Sequence, residues 1–372
     1  MVTINDLLRD EAIRHQVAVQ GLSNNVVARI IAALNRSDKR ILLELSERLE
    51  RMDANSFSIQ RLESMLTSVR SMSTQAFAEI ERELTRELRE FVAYETSYQA
   101  QMLMAHVPVG VHVAAVSADV VYTAALARPF QGVLLREVWR DLDATQMKKV
   151  RQAIAAGFLE GKTTDAIIRE LRGTKARGYA DGMLEATRRD AEAITRTALG
   201  HMARNAQDRT IEANADLIKA LVWSSTLDLR TTPICRVRDG KQYTTAHKPV
   251  GHALPWLGGP GAAHWRCRSH STYVLKSHAE LGIDAPETVV VGKTRASMDG
   301  QLPAETTYAE WLNKQSAARQ DDVLGPTRAK LLRDGKLPLE RMYSQNGRYL
   351  TLAQLRERDV EVFAAAGLLI SR

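Results

Sequence analysis

Residues 80–91 read Ile80-Glu-Arg-Glu-Leu84-Thr-Arg-Glu-Leu88-Arg-Glu-Phe91. Apolar side chains return every third or fourth position, and Arg, Glu or Thr fills the rest. That period belongs to a helix with one apolar face. The same spacing extends outward. Ile59, Leu62, Leu66 and Val69 carry it upstream, and Ile41, Leu45, Leu49 and Met52 precede them. Neither Pro nor Gly occurs between Leu22 and Val107. Ser56 is placed to cap a second helix that runs to about Met104. At 1.5 Å per residue such a helix spans on the order of 70 Å. Its stripe is too narrow for a core on all sides and calls for one partner: its own hairpin mate, a second copy, or another protein. The first hundred residues therefore predict a long helical arm.

The 372 residues are 45% apolar and 26% charged, which excludes collagen-like, mucin-like and wholly disordered chains. Aromatics make up only 5%, low for a β-sandwich and natural for a helical protein rich in Ala, Leu, Arg and Glu. Two cysteines, Cys235 and Cys267, exclude a disulfide-rich secreted scaffold. The first residues turn polar at once, so no signal peptide is read. The nearest approach to a membrane span is Val107 to Ala127, and it holds Pro108, Gly110, His112, Ser117 and Asp119. A buried or interface helix fits it better, and no membrane partner is expected.

Beyond the arm, shorter helices are expected near 115–127, 132–140, 144–159 and 164–172. Asp143 and Thr163 are placed as N-caps, and Gly161 and Gly173 as stops. Residues 173–182 read as a glycine-spaced loop, and 185–217 as a long helix with Ala191, Ile194, Ala198 and Met202 on one face. The texture then changes. Leu221-Val222-Trp223 and Ser269–Lys276 read as strands. Cys235–Tyr243 reads as a hairpin turning on Asp239-Gly240. Residues 286–300 read as a loop, followed by helices near 308–320, 327–334 and 351–364. The fold class is mainly α with a small α+β domain. It divides into the arm (1–105), a helical linker domain (106–184), the α+β domain (185–280) and a helical tail (281–372). The α+β domain is expected to fold without the arm.

The net charge is +7, yet residues 221–278 alone carry eight Lys/Arg against two acidic residues. Five of the nine His lie there too. Such concentration is the footprint of a surface that faces phosphates or an acidic partner, although a solvated basic face has the same composition. Arg230, Arg236, Arg238, Lys241, Arg266 and Arg268 are the candidate phosphate contacts. Cys235, His264 and Cys267 form a metal-like set with Cys-x28-His-x2-Cys spacing. Thiolate and imidazole suit zinc, but a closed structural site takes four ligands. Two ordinary buried thiols, a metal site and a disulfide all remain open at this level. Asp228-x-Arg230 beside Thr231-Thr232 reads as a loop locked by a local ion pair. Glu81-x-Glu83 has the spacing of an ADP-ribosyltransferase's acidic pair but sits in the strongest helical run, on a solvated face. No phosphate loop, zinc-protease motif or nucleophile elbow is present, and no catalytic residue is assigned.

Several segments, taken in order, resemble the head-morphogenesis family of tailed bacteriophages, the minor head proteins similar to the F protein of phage Mu. They are Ala191-Glu-Ala-Ile-Thr-Arg196-Thr197, Trp223, Asp228-Leu-Arg-Thr-Thr-Pro-Ile-Cys235-Arg-Val-Arg-Asp239-Gly240-Lys-Gln-Tyr243, and His264-Trp-Arg-Cys267-Arg268. The tail adds Tyr308-Ala-Glu-Trp-Leu312, Val323-Leu-Gly-Pro-Thr-Arg328, Gly335-Lys-Leu337 and Leu350-Thr-Leu352. The likeness spans about 185–355. Where the family's motif has a first cysteine, this chain has Thr232, so a zinc site built on the family's Cys, Cys, His and Cys is one ligand short.

The resemblance implies a structural virion protein inside the head near the portal vertex, present in the host cytoplasm during assembly. Its implied partners are the portal protein, packaged double-stranded DNA, and the major capsid protein or scaffold, with self-association through the arm. It also suggests that Arg196, Trp223, Asp228, Asp239, Gly240 and His264 lock the fold. Two other readings stand beside it: an injected nuclease or ADP-ribosyltransferase toxin, and a zinc-dependent nucleic-acid-binding module.

Overall fold

In a computed structural model, residues 4–52, 58–108, 110–129, 131–284, 294–303 and 305–368 are described. The arm begins as two long helices, α1 (Ile4–Glu50) and α2 (Ile59–Met104). Ser56, expected to cap the second, lies outside the described residues. α3 (Ala118–Ala127), α4 (Leu135–Leu159), α5 (Thr164–Arg172) and α6 (Met183–Ala213) follow. The chain then falls into two compact units. One comprises residues 21–94 and 118–202; the other comprises 1–20, 95–117 and 203–372. Both draw on the arm.

In the first unit the stripe meets a partner from its own chain. Ile41, Leu45 and Leu49 of α1 pack with Leu62, Leu66 and Val69 of α2. Val150 and Ile154 of α4 and Ile167 and Leu171 of α5 close the same core. Arg29 pairs with Glu87 and Ser68 donates to Glu44, so the helices run antiparallel here. The hairpin mate, with α4 and α5, covers the stripe. Ile59, at the first turn of α2, is the exception and is 63% exposed. Glu83 faces Arg29 and Arg86 on the polar side, as a solvated helix face should.

Helix boundaries followed local chemistry closely. Thr163 accepts from the Ala166 N–H and starts α5; Gly173, at φ +88°, ends it. Asp143 does not cap a helix. The expected helices 132–140 and 144–159 are the single helix α4, and Asp143 sits buried inside it, accepting from Ser73 and Thr74 of α2. Its short polar side chain found a tertiary partner, so its capping preference never came into play. Residues 107–108 and 110–117 are not helical, and α3 is only 10 residues long. Among the described residues α1 is the one helix long and apolar enough by composition to cross a membrane, a test that core helices also pass.

The second unit is built on a four-stranded antiparallel sheet of order β3-β2-β1-β4. Its strands are β1 (Ile218–Ser224), β2 (Gln242–Thr244), β3 (Pro249–Val250) and β4 (His270–Leu275). In register, Leu221 of β1 stands between Tyr243 and Tyr273, and all three side chains are buried. The ends of the arm belong to this core. Leu8, Ala12, Met102 and Leu103 pack with Leu217, Trp223 and Tyr273. Asn5 accepts from the Leu275 N–H, and Gln99 accepts from the Tyr273 hydroxyl at 2.6 Å. The α+β segment is therefore not separable from the arm: without it, one apolar sheet face would lie in water.

The hairpin expected over Cys235–Tyr243 is absent. Pro233–Arg236 forms the short helix α7, with Pro233 in its first turn, because a fixed φ and no N–H suit that position. Asp239-Gly240 instead turns the chain from α7 into β2. Gly240 takes φ +77° and donates to the Trp223 carbonyl. The segment expected as a loop to residue 300 contains the start of a second hairpin, β5 (Thr294–Ser297) and β6 (Gly300–Pro303), while 285–293 lie outside the described residues. The tail adds α8 (Tyr308–Asn313), α9 (Ala317–Leu324), α10 (Pro326–Arg333), α11 (Leu352–Arg358) and α12 (Val360–Ala365). The expected 308–320 and 351–364 helices are each two, because Ser316 caps a new helix and Asp359 breaks the other. A second core gathers Leu227, Tyr308, Trp311, Leu331, Met342 and Phe363.

Candidate functional site

The motif residues converge where β1, α7 and β4 meet. Asp239, expected to lock the fold, is the centre of that convergence. Its carboxylate accepts from the Ser225 N–H at 2.6 Å and the Tyr308 N–H at 2.7 Å. It also accepts two bonds from Arg295, at 2.7 and 3.0 Å. Both charged side chains are 1% exposed. Arg295 also donates to the Thr306 and Ser225 carbonyls. One carboxylate thus joins the sheet to β5 and α8. Sequence reasoning missed Arg295, which lies in a stretch with no periodicity and no neighbouring motif.

Asp228 locks the adjacent loop. It accepts both guanidinium branches of Arg268, the Thr231 hydroxyl and the Arg230 N–H. Burial opposes its ionisation, but the bonds from Arg268 and Thr231 outweigh burial and hold its carboxyl below the usual range. Trp223 is fully buried against Tyr243 and Trp256. Arg196 sits in the other unit, on α6, where it pairs with Glu192 and donates to Asn24 of α1.

The candidate phosphate contacts divide by burial. Arg236 donates to the Thr231 and Val323 carbonyls, and Arg238 to the Pro255 and Ile234 carbonyls. Arg236 is 8% exposed and Arg238 fully buried. Neither guanidinium can reach a phosphate; both bind backbone that would otherwise lose its water. Arg268 is engaged by Asp228. Arg230, with 83% of its side chain exposed, and Arg266 face solvent, with Lys241 half-buried nearby in sequence. A further cationic cluster escaped the sequence reading. Arg204 lies 4.6 Å over the Trp256 ring, pairs with Asp208 and meets His247, which stacks on Trp256. These residues are far apart in the chain, and only the sheet brings them together.

Cys235, His264 and Cys267 do come together. Cys235 Sγ lies 3.2 Å from His264 Nε2 and 3.7 Å from Cys267 Sγ, and all three donor atoms fall within 4.8 Å of one another. Both cysteines are buried, free thiols rather than a disulfide. The Thr232 hydroxyl stands 2.9 Å from the same His264 nitrogen. Cys267 is held well below the ordinary thiol range, chiefly by the hydrogen bond from Cys235 and then by His264, against burial. Cys235 is pushed well above it, by that same bond and by burial. Zinc–sulphur and zinc–nitrogen distances of about 2.3 and 2.0 Å give tetrahedral edges of about 3.8 Å between sulphurs and about 3.5 Å between sulphur and nitrogen. The donor set fits zinc at three corners, and a threonine hydroxyl stands where the family's motif has its first cysteine.

Residues 148–272 match the family of phage Mu protein F like proteins. Over this stretch, about a third of its length, the chain is similar to a family of phage head-related proteins. The match covers α5, α6, β1, α7, β2 and β3 whole, with part of α4 and half of β4. It therefore starts earlier than the sequence likeness and leaves the tail, from Tyr308 on, outside. No curated protein and no solved structure matches the chain.

Proposed function

We propose that this chain is a minor structural component of a tailed-phage head, seated inside the capsid near the portal. There it takes part in head assembly and in holding or releasing packaged DNA. The family match over residues 148–272 carries this reading. The basic excess of residues 221–278 supports the DNA part, now narrowed to the side chains that face solvent, Arg230, Lys248 and Arg266, together with half-buried Lys241. Contacts of this kind need only the phosphate backbone, not base edges. The arm serves the portal, or a second copy, through its polar outer side, since its apolar stripe is already covered from within. No catalytic step is part of the role.

Two measurements test it. Capture of the portal protein by the full chain, with cross-links mapped to α1 and α2, is expected; a portal that neither binds nor cross-links removes the portal assignment. DNA binding should weaken steeply with salt. Replacing Arg230, Lys241, Lys248 and Arg266 by Gln should flatten the log–log salt slope by up to about 3.6, at about 0.9 per phosphate contact. A slope equal to the unmodified chain's refutes the phosphate role.

A further inference from the structure

The convergence on His264 is electrostatically overfull without an ion. The His264 Nδ1 lies 2.8 Å from the Trp265 carbonyl and donates to it, so in the neutral ring Nε2 is the bare nitrogen. Nε2 has one lone pair. Yet the Thr232 hydroxyl and the Cys235 sulphur both crowd it, at 2.9 and 3.2 Å, and the Cys267 sulphur stands 3.7 Å behind. One lone pair cannot serve two donors well. A cation between the sulphurs and Nε2 uses every lone pair at once.

The backbone is shaped for the same purpose. His264 and Cys267 are joined by a tight turn in which the Cys267 N–H bonds the His264 carbonyl, and Arg266 takes φ +59°. A non-glycine residue in that region is strained. Here it turns both side chains inward while Trp265 is left 41% exposed. A cross-link at the root of the turn offsets the cost of ordering it.

We propose that Cys235, His264 and Cys267 bind one zinc ion as a three-residue set, its fourth corner facing Thr232, and that the ion staples α7 to the turn preceding β4. The role is structural. The one carboxylate of the adjoining loop, Asp228, is consumed by Arg268 and Thr231, so no base stands ready at the open corner. Uptake displaces the remaining thiol protons of the two cysteines to solvent, and no bond is oxidised or reduced. The inference is independent of the virion role.

The full chain, expressed with zinc and purified under reducing conditions, should carry about one zinc per molecule by elemental analysis, and Cys267→Ser and His264→Ala should carry under about 0.2. Thr232→Cys supplies the fourth thiolate and should slow zinc extraction by a chelator at least about tenfold, whereas Thr232→Val should keep the stoichiometry. Cobalt substituted into the unaltered chain should show a thiolate-to-metal charge-transfer band, a readout that does not depend on any variant folding. Metal content below about 0.2 per chain, zinc retained by Cys267→Ser, a cobalt spectrum without the charge-transfer band, or an intact mass two hydrogens light from a Cys235–Cys267 disulfide each overturns the proposal.

Discussion

Replacing Asp239 with alanine should be the most damaging single change in the sheet-bearing unit. Asp239 and Arg295 are each 1% exposed, and the carboxylate accepts four bonds, two from Arg295 and one each from the Ser225 and Tyr308 amides. Truncation orphans a buried guanidinium charge and two amides together. Breaking a buried pair from one side costs about 3–5 kcal/mol, or roughly two to three and a half powers of ten in the opening equilibrium. Amide hydrogen exchange is the suitable assay, because two units need not unfold together and exchange reports each locally. Ser225 and Tyr308 should lose protection by that factor while α4 and α5 keep theirs. Urea unfolding followed by tryptophan emission gives a second readout, since Trp223 and Trp311 are both buried in this unit. The double variant Asp239→Ala/Arg295→Met should cost less than its two single changes added, because no charge is left without a partner. A loss below about 1 kcal/mol, or exact additivity, would refute the claim that this ion pair joins sheet and tail.

Two further outcomes concern the other unit. Burial pushes the Asp38 carboxyl up to about 6, only partly offset by Arg188. The folded state then holds a proton the unfolded chain has lost, so Asp38 makes stability fall as pH rises from about 4 to 6, by about 3 kcal/mol at most. NMR titration of its carboxyl carbon should show that midpoint, and an ordinary value near 4 would contradict it. Gly182→Ala places a Cβ 2.3 Å from the Arg172 carbonyl oxygen and 2.6 Å from the Gly173 nitrogen. Both neighbours are backbone, so the α5–α6 junction should lose about 1–3 kcal/mol in thermal or urea unfolding; unchanged stability would mean the junction is slack.

Those sites also mark how far local sequence reaches. The Ile41–Leu49 and Ile80–Phe91 stripes, the Thr163 cap and the Gly173 stop were readable because helix periodicity and capping act within one or two turns. The Cys-x28-His-x2-Cys spacing was readable as a candidate set. Its closure at 3.2 and 3.7 Å was not, because Cys235–Tyr243 reads as a hairpin, whereas Cys235 lies in the short helix α7. Asp143 was misplaced for a related reason: a distant pair of hydroxyls on α2 outbid the local cap.

By itself the sequence determined the helical arm, the α+β segment beyond it, the motif that resembles phage head proteins, and the concentration of positive charge between residues 221 and 278. Tertiary structure alone decided which of those charges a partner can touch. Arg236 and Arg230 count equally in a charge sum, but one is spent on buried carbonyls and the other stands in water. Charge is a property of the residue. Its availability depends on desolvation and on which acceptors the folded chain brings within reach.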